Sequence, residues 1–504
     1  MNVITLVTDD IRSVTRFFRG FTIATRSRHS DELNPSPRTS RRRRPLLPGL
    51  SRGGRPNVDA LLTTNPQPHT LAGTRGTTRD RVTQIVVVAA AALMLLFISL
   101  VVGRSYTQIT AFDEAVHFDY IVKILNERGL PTVADTLSPE TLREIACRGT
   151  ETTCATQLQN PDIPVAGVNY VLMYGPIYYG LVALFSAPFS ALTGVSLFDS
   201  ARTATSLLTA IGGVLFLIAA LRLGARKKAA VGLLLATAAA PLALLQGATI
   251  SPDSMGLLFA GAICLAATLR GSWRRRLIVV TVICCLAALN KANFIPLATA
   301  GIWLATVAPT DDDEWRFDWA NRWKRYVVGL IASLLPLAVQ YSYNSWRVSF
   351  LPEGVRADGG LNDVLYTDMT IFETIADGTI QLMQPIHDSG FPAVPQLWAV
   401  GALLQALIFG GAFAMVLISR VAPTARIRAV AIAGTAGLAL SFVFLPITFY
   451  VLYHSIGTQS RYGLPILMFL CIAVAASIRA RAASWAVLVA GIAVYGLTLW
   501  YALR

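Results

Sequence analysis

Charge is scarce in this sequence. Only 14% of its 504 residues are charged and 54% are hydrophobic, where a soluble domain carries about 25% charge. That balance excludes an ordinary soluble enzyme and reads as a polytopic membrane protein. Cysteine is sparse too, at six residues. Cys264, Cys284, Cys285 and Cys471 lie in apolar runs as small core residues. Four ligands at zinc-site spacing are missing. Cys147 and Cys154 bracket a polar loop, CRGTETTC, which a disulfide can close if the loop lies outside the cytoplasm. No cleavable apolar core follows the N-terminal basic region promptly, so no secretory signal is read there. No inverted repeat of the transporter kind is found.

What charge there is lies unevenly. The net charge is +14, and residues 1–81 alone hold 15 Arg against 6 acidic residues. This Arg-, Ser- and Pro-rich stretch cannot bury enough apolar surface to offset its ordering entropy. It is expected to be a disordered basic cytoplasmic tail, with a short amphipathic helix over 3–24. Its charge sets topology and says little about nucleic acid.

Residues 82–504 read as the membrane domain. The first apolar run, to Val102, is long enough to cross the ~30 Å hydrocarbon core. Further crossings are expected at about 200–222, 229–247, 253–270, 277–291, 293–308, 327–348, 398–418, 429–449, 463–478 and 484–503. The aromatic run 170–192 is placed in the outer interface. With it there, the basic loops at 222–228, 270–276, 316–325 and 420–428 all fall inside. The expected fold is an all-α polytopic membrane protein of about eleven transmembrane helices, its C-terminus outside. A first outer loop (104–198) carries juxtamembrane helices, and a second (349–397) is long enough to be a functional lid. Asp311, Asp312 and Asp313 sit in a cytoplasmic linker without calcium-loop spacing.

This topology gathers the unusual polar residues on the outer side. The stretch TAFDEAVHFDY, Thr110 to Tyr120, puts adjacent carboxylates close to hydrocarbon, which is costly unless they pair or do chemistry. The bland alternative is a helix-start cluster favoured by the helix dipole. On a helix Asp113, His117 and Tyr120 share a face, and Glu114 points about 100° away. Tyr174, Tyr178, Tyr179, Asp253, Lys291, His454, Arg461 and Tyr462 fall at or beside the same helix ends. Singly, Asp253 could cap a helix and Lys291 could snorkel to headgroups. Together, two acids, two bases and several tyrosines fit an anionic lipid substrate.

The order FDEAVHFDY, YGPIYYGL, SPDS resembles membrane glycosyltransferases of superfamily C (GT-C). NKANFIPLA and QSRYGLPIL further resemble blocks in an uncharacterised bacterial branch of it. The resemblance spans about 104–470. It departs at Tyr174-Gly175-Pro176, where His-Pro-Pro is usual, and at Ser460, where Gly is usual. It implies inverting sugar transfer from a polyprenyl-phosphate donor to a cell-envelope glycan, lipid or protein acceptor, at a bacterial cell membrane and on its outer face. In that reading Asp113 is the first choice of general base and Glu114 the second. His117 orients the carboxylate or binds acceptor, and Arg461, supported by Lys291 and His454, holds the phosphate. No nucleotide-binding motif appears. Metal stays open, because some relatives use a divalent cation and others do not. Three rivals stand beside it: a transporter or flippase of a lipid-linked precursor, a polysaccharide polymerase or ligase, and a scaffold recruiting partners through its tail.

Overall fold

The computed structural model of the protein describes residues 78–110, 113–133, 135–148, 168–269, 271–308, 319–351, 353–355, 369–384, 395–418, 420–453 and 458–504. They belong to one compact unit. The 3–24 helix, nearly all of the tail, Cys154, Asp311 to Asp313 and His454 lie outside the described residues.

Among the described residues there are sixteen α-helices and no strand, with one isolated bridge between Thr136 and Val168. The first half holds α1 (Thr78–Ser105), α2 (Glu114–Glu127), α3 (Pro139–Cys147), α4 (Ile177–Thr193), α5 (Leu197–Arg222), α6 (Lys227–Ala238), α7 (Pro241–Ala248) and α8 (Met255–Ala267). The second holds α9 (Trp273–Asn290), α10 (Ile295–Val307), α11 (Trp319–Val348), α12 (Ile371–Leu382), α13 (Pro395–Leu417), α14 (Ala425–Tyr453), α15 (Leu464–Ser477) and α16 (Arg481–Ala502). Helix α1 starts at Thr78, inside the stretch assigned to the tail.

The chain is an all-helical, multi-pass membrane protein, and each of the eleven expected crossings falls on helix among the described residues. Seven helices are long and apolar enough to span: α1, α5, α11, α13, α14, α15 and α16. The pair α6 and α7, bent by 77° at its break, makes an eighth if counted as one span. The other three expected crossings are helical, on α8, α9 and α10, and lie outside that length-and-composition set. Helices α8 and α10 have 13 residues each, about 20 Å of rise. Each is preceded by a 3₁₀ turn (Pro252–Ser254 and Ala292–Phe294) and is buried along most of its length. Breaks of this kind are tolerated where protein, not lipid, surrounds the backbone. Helix α9 opens on Arg274, Arg275 and Arg276. Helix α4, over the aromatic run, has 17 residues and ends on Gly194 at φ +73°.

Small residues let these helices approach closely, as membrane packing requires. A Cβ on Gly232 would stand 2.4 Å from the Val487 carbonyl oxygen, and one on Gly491 would stand 2.2 Å from that of Gly232. Helices α6 and α16 therefore touch backbone to backbone. At Gly496, also on α16, a Cβ meets nothing within 4 Å. Gly491→Leu is expected to destabilise the protein by at least about 1–3 kcal/mol through overpacking, while Gly496→Ala is neutral. The monodisperse fraction and melting temperature in detergent check both.

Candidate active site

Three short turns assemble the site. The 3₁₀ turns Pro252–Ser254, Ala292–Phe294 and Ser460–Gly463 lead into α8, α10 and α15. They carry, respectively, Asp253, the Lys291 that opens the second turn, and Arg461. Lys291 Nζ donates to both Asp253 oxygens at 3.2 and 3.0 Å. Asn293 Nδ2 donates to Asp253 Oδ1 at 2.9 Å, and Arg461 Nε lies 3.2 Å from Asp253 Oδ2. Three helix N-termini thus converge on one cluster, and their dipoles favour an anion there. Asp253 is not the cap of its turn, because Ser251 accepts from the Asp253 amide. Lys291 does not snorkel, being buried against Asp253.

Asp113 completes the cluster. It holds the N-cap position of α2 in the left-handed region, φ 63°, ψ 13°, and makes no capping bond. That conformation is uncommon for any residue but glycine, least so for Asn and Asp. Strain of this kind gathers at functional sites. Its carboxylate is committed instead to Tyr170, whose hydroxyl donates to Oδ1, and to Arg461, which donates to Oδ2 at 2.7 Å. Its side chain is 24% exposed, against 2% for Arg461 and 1% for Asp253. Asp113 is therefore the open member of the cluster. Burial opposes its ionisation, but Arg461, His117 and the Tyr170 hydroxyl outweigh that and hold the carboxyl below the usual range.

Glu114, one residue on, faces a different environment. It is fully buried, and Arg202 grips it bidentately, Nε to Oε1 at 2.8 Å and Nη2 to Oε2 at 2.7 Å. The amides of Thr110 and Ile250 donate to the same oxygens at 2.9 and 3.0 Å. Arg202 spends its remaining donors on the carbonyls of Gly103, Tyr106 and Gln108. A carboxylate so fully engaged is a structural counter-ion. The expectation of Glu114 as second-choice base is corrected on that ground.

The tyrosines divide similarly. Tyr178 is fully buried and shares a hydrogen bond with Thr205 of α5, 2.7 Å away. Tyr179, also buried, contacts His117 Nδ1 at 2.8 Å. Neither lies open to a substrate, so both leave the substrate-binding set. His117 is held by Tyr179 and does not hydrogen-bond Asp113, which corrects its expected orienting role. Its Nε2 is buried without a partner. Burial pushes the imidazole down to about 3, with Lys291 and Arg461 adding to the depression against the pull of Asp113. The Tyr174 and Tyr462 rings flank Lys291, with Nζ 5.4 and 4.8 Å from their centroids. Tyr462 also stacks on Phe449 at 5.4 Å.

Three residues of this network escaped the sequence reading as site residues: Arg202, Tyr170 and Asn293. Arg202 carried a weak signal, a basic residue in the first turns of a long helix that turns apolar after it. Gly175, where the family pattern has another residue, is explained by space. A Cβ there would lie 1.5 Å from the Leu289 carbonyl oxygen, so glycine is required where α4 meets the end of α9. Cys147 is disulfide-bonded. Among the described residues no group of three or more His, Cys, Asp and Glu could hold a metal ion.

Two outcomes follow from these environments. Glu114→Ala is expected to cost about 3–5 kcal/mol, because it leaves Arg202 buried and unpaired; thermal unfolding in detergent measures it. His117 has a folded pKa below its unfolded value of ~6.5, so the unfolded state gains a proton first on acidification. Stability should therefore fall from pH 6.5 to 5 by up to about 1.4 kcal/mol per unit. His117→Gln should remove that slope, and equal slopes in both proteins would contradict the assignment. The Asp113 contribution is present above ~3.9 and is lost only as pH falls through its lower folded value.

No protein-family model matches the chain, and no curated protein sequence matches it. Among solved structures it is similar to the crystal structure of ArnT from Cupriavidus metallidurans in the apo state, at 17% identity and a TM-score of 0.47. The match covers 82% of this chain and 63% of that one, so the chain spans less than two thirds of its structural neighbour's length.

Proposed function

We propose that the chain is a membrane glycosyltransferase of the superfamily-C kind, moving a sugar from a polyprenyl-phosphate donor to an acceptor outside the cytoplasm. The observation that carries the reading is the partly exposed Asp113 beside a buried Arg461 and three converging helix N-termini. A carboxylate that can take a proton and a cation that can hold a phosphate stand in direct contact. The first outer loop (104–198) and the second (349–397) then form the outer face of a domain that begins near residue 82.

In the step proposed, an acceptor hydroxyl oxygen attacks the anomeric carbon and the bond from that carbon to the donor phosphate oxygen breaks. The hydroxyl proton passes to Asp113, and the lipid phosphate leaves with the electron pair. Arg461 and Lys291 hold the phosphate as charge develops on it. In the unliganded protein Arg461 grips Asp113 itself, an arrangement that makes the carboxylate a weak base. Phosphate competes for the same guanidinium fork, which suits planar oxygen pairs. Its binding draws Arg461 off Oδ2 and returns Asp113 to the strength a general base needs.

Asp113→Asn keeps the left-handed conformation, which asparagine tolerates, and is expected to fold normally. Transfer from a radiolabelled polyprenyl-phosphate sugar should fall by about 10²–10⁴, and undiminished transfer would sink Asp113 as the base. Arg461→Lys should lower kcat/KM for the donor by on the order of 10²; an unchanged value removes Arg461 from the phosphate site.

A further inference from the structure

A second polar site lies on the other side of the Glu114–Arg202 lock. The end of α1, helix α3 and the start of α5 border an open cleft of about 540 Å³, lined by Arg104, Thr107, Arg143, Glu144, Arg148 and Asp199 among others. None of these residues belongs to the Asp113 cluster. The volume suits a small ligand or headgroup.

Its charges are unevenly satisfied. Arg148 pairs with Glu144 at 3.2 Å and with Asp199, yet its Nε is buried without a hydrogen-bond partner. Arg104 and Arg143 are exposed, and neither has an ion-pair partner among the described residues. Three guanidinium groups therefore face two carboxylates, and both acids are already engaged by one of the three. The wall is rigid. Cys147 is disulfide-bonded, and the Arg148 guanidinium lies 4.1 Å from the ring centroid of buried Phe198. Arg202 covers the same ring at 4.8 Å.

The setting identifies the ligand class. Arg104 lies in the last turn of an apolar span, Asp80–Ser105, where basic side chains sit at headgroup level. Val195 lines the cleft just beyond α4, and that helix leaves Leu184 and Leu192 75% and 87% exposed. A basic pocket thus borders an uncovered apolar helix face. We infer that this pocket binds the phosphate headgroup of an anionic lipid, with the lipid chains lying along α4. A lipid held there braces the far side of the Glu114–Arg202 pair, since Asp199 and Arg202 share one turn of α5.

The test uses the full-length protein in mixed micelles of phosphatidylcholine and phosphatidylglycerol, with retained lipids counted by native mass spectrometry. The wild type is expected to retain phosphatidylglycerol selectively. Arg104→Gln with Arg143→Gln should weaken that retention about tenfold or more, at roughly 1 kcal/mol per surface arginine. Arg226→Gln with Lys227→Gln, which removes charge at the start of α6, should leave it unchanged. Both arginines are exposed, so an unaltered melting temperature will show that the variant folds. Equal retention by wild type and the Arg104/Arg143 variant overturns the proposal. Displacement of the lipid by micromolar inorganic phosphate also overturns it, because the pocket is then a site for a soluble anion.

Discussion

The arrangement depends on one buried ion pair. Glu114 and Arg202 meet out of contact with solvent, and every oxygen and nitrogen of the pair has a partner. Such a pair adds little net stability, because desolvation offsets its attraction. Its effect is positional. Arg202 collects three carbonyls from the end of α1, while Glu114 holds the amide that leads into α8. The stretch just after α1 is thereby tied to the first turn of α2, where Asp113 stands left-handed and paired with Arg461.

Asp253 is the complementary hub. It receives Lys291, Asn293 and Arg461 from two other turns, so three helices of the bundle are registered by one carboxylate. Short helices are the geometric means. Because α8 and α10 stop short of a full span, their N-termini end inside the protein, where their dipoles can act on a ligand with little screening. The shortness of these helices builds the candidate phosphate site. The lipid pocket proposed beside Arg148 would then load the structure from the far side of the Glu114–Arg202 pair.

Much of this was legible in the sequence. Apolar runs located nearly every helix because length and composition are local properties. The gathering of Asp113, Asp253, Lys291 and Arg461 followed from topology, since each lies at a helix end. What the sequence hid were choices between neighbours. Asp113 and Glu114 are alike in composition, and only the three-dimensional partner, Arg202 for one and Arg461 for the other, separates their roles. Tyr178 and Tyr179 look like an aromatic surface and are core, because α4 packs that face against α2 and α5. Hydropathy located α8 and α10 but does not tell that both are buried along most of their length by the rest of the bundle. Gly175 looked like a departure from a family pattern, and the close approach of Leu289 supplies its reason.

The exchange of Arg461 between Asp113 and a phosphate is the central claim, and a cryo-EM structure with a bound polyprenyl-phosphate sugar tests it most directly. The account predicts phosphate oxygens within about 2.7–3.2 Å of Arg461 and Lys291. It also predicts that Asp113 Oδ2 is released and faces the anomeric carbon. A lipid lodged between helices elsewhere, with Arg461 still on Asp113, would contradict it and turn the reading toward lipid translocation.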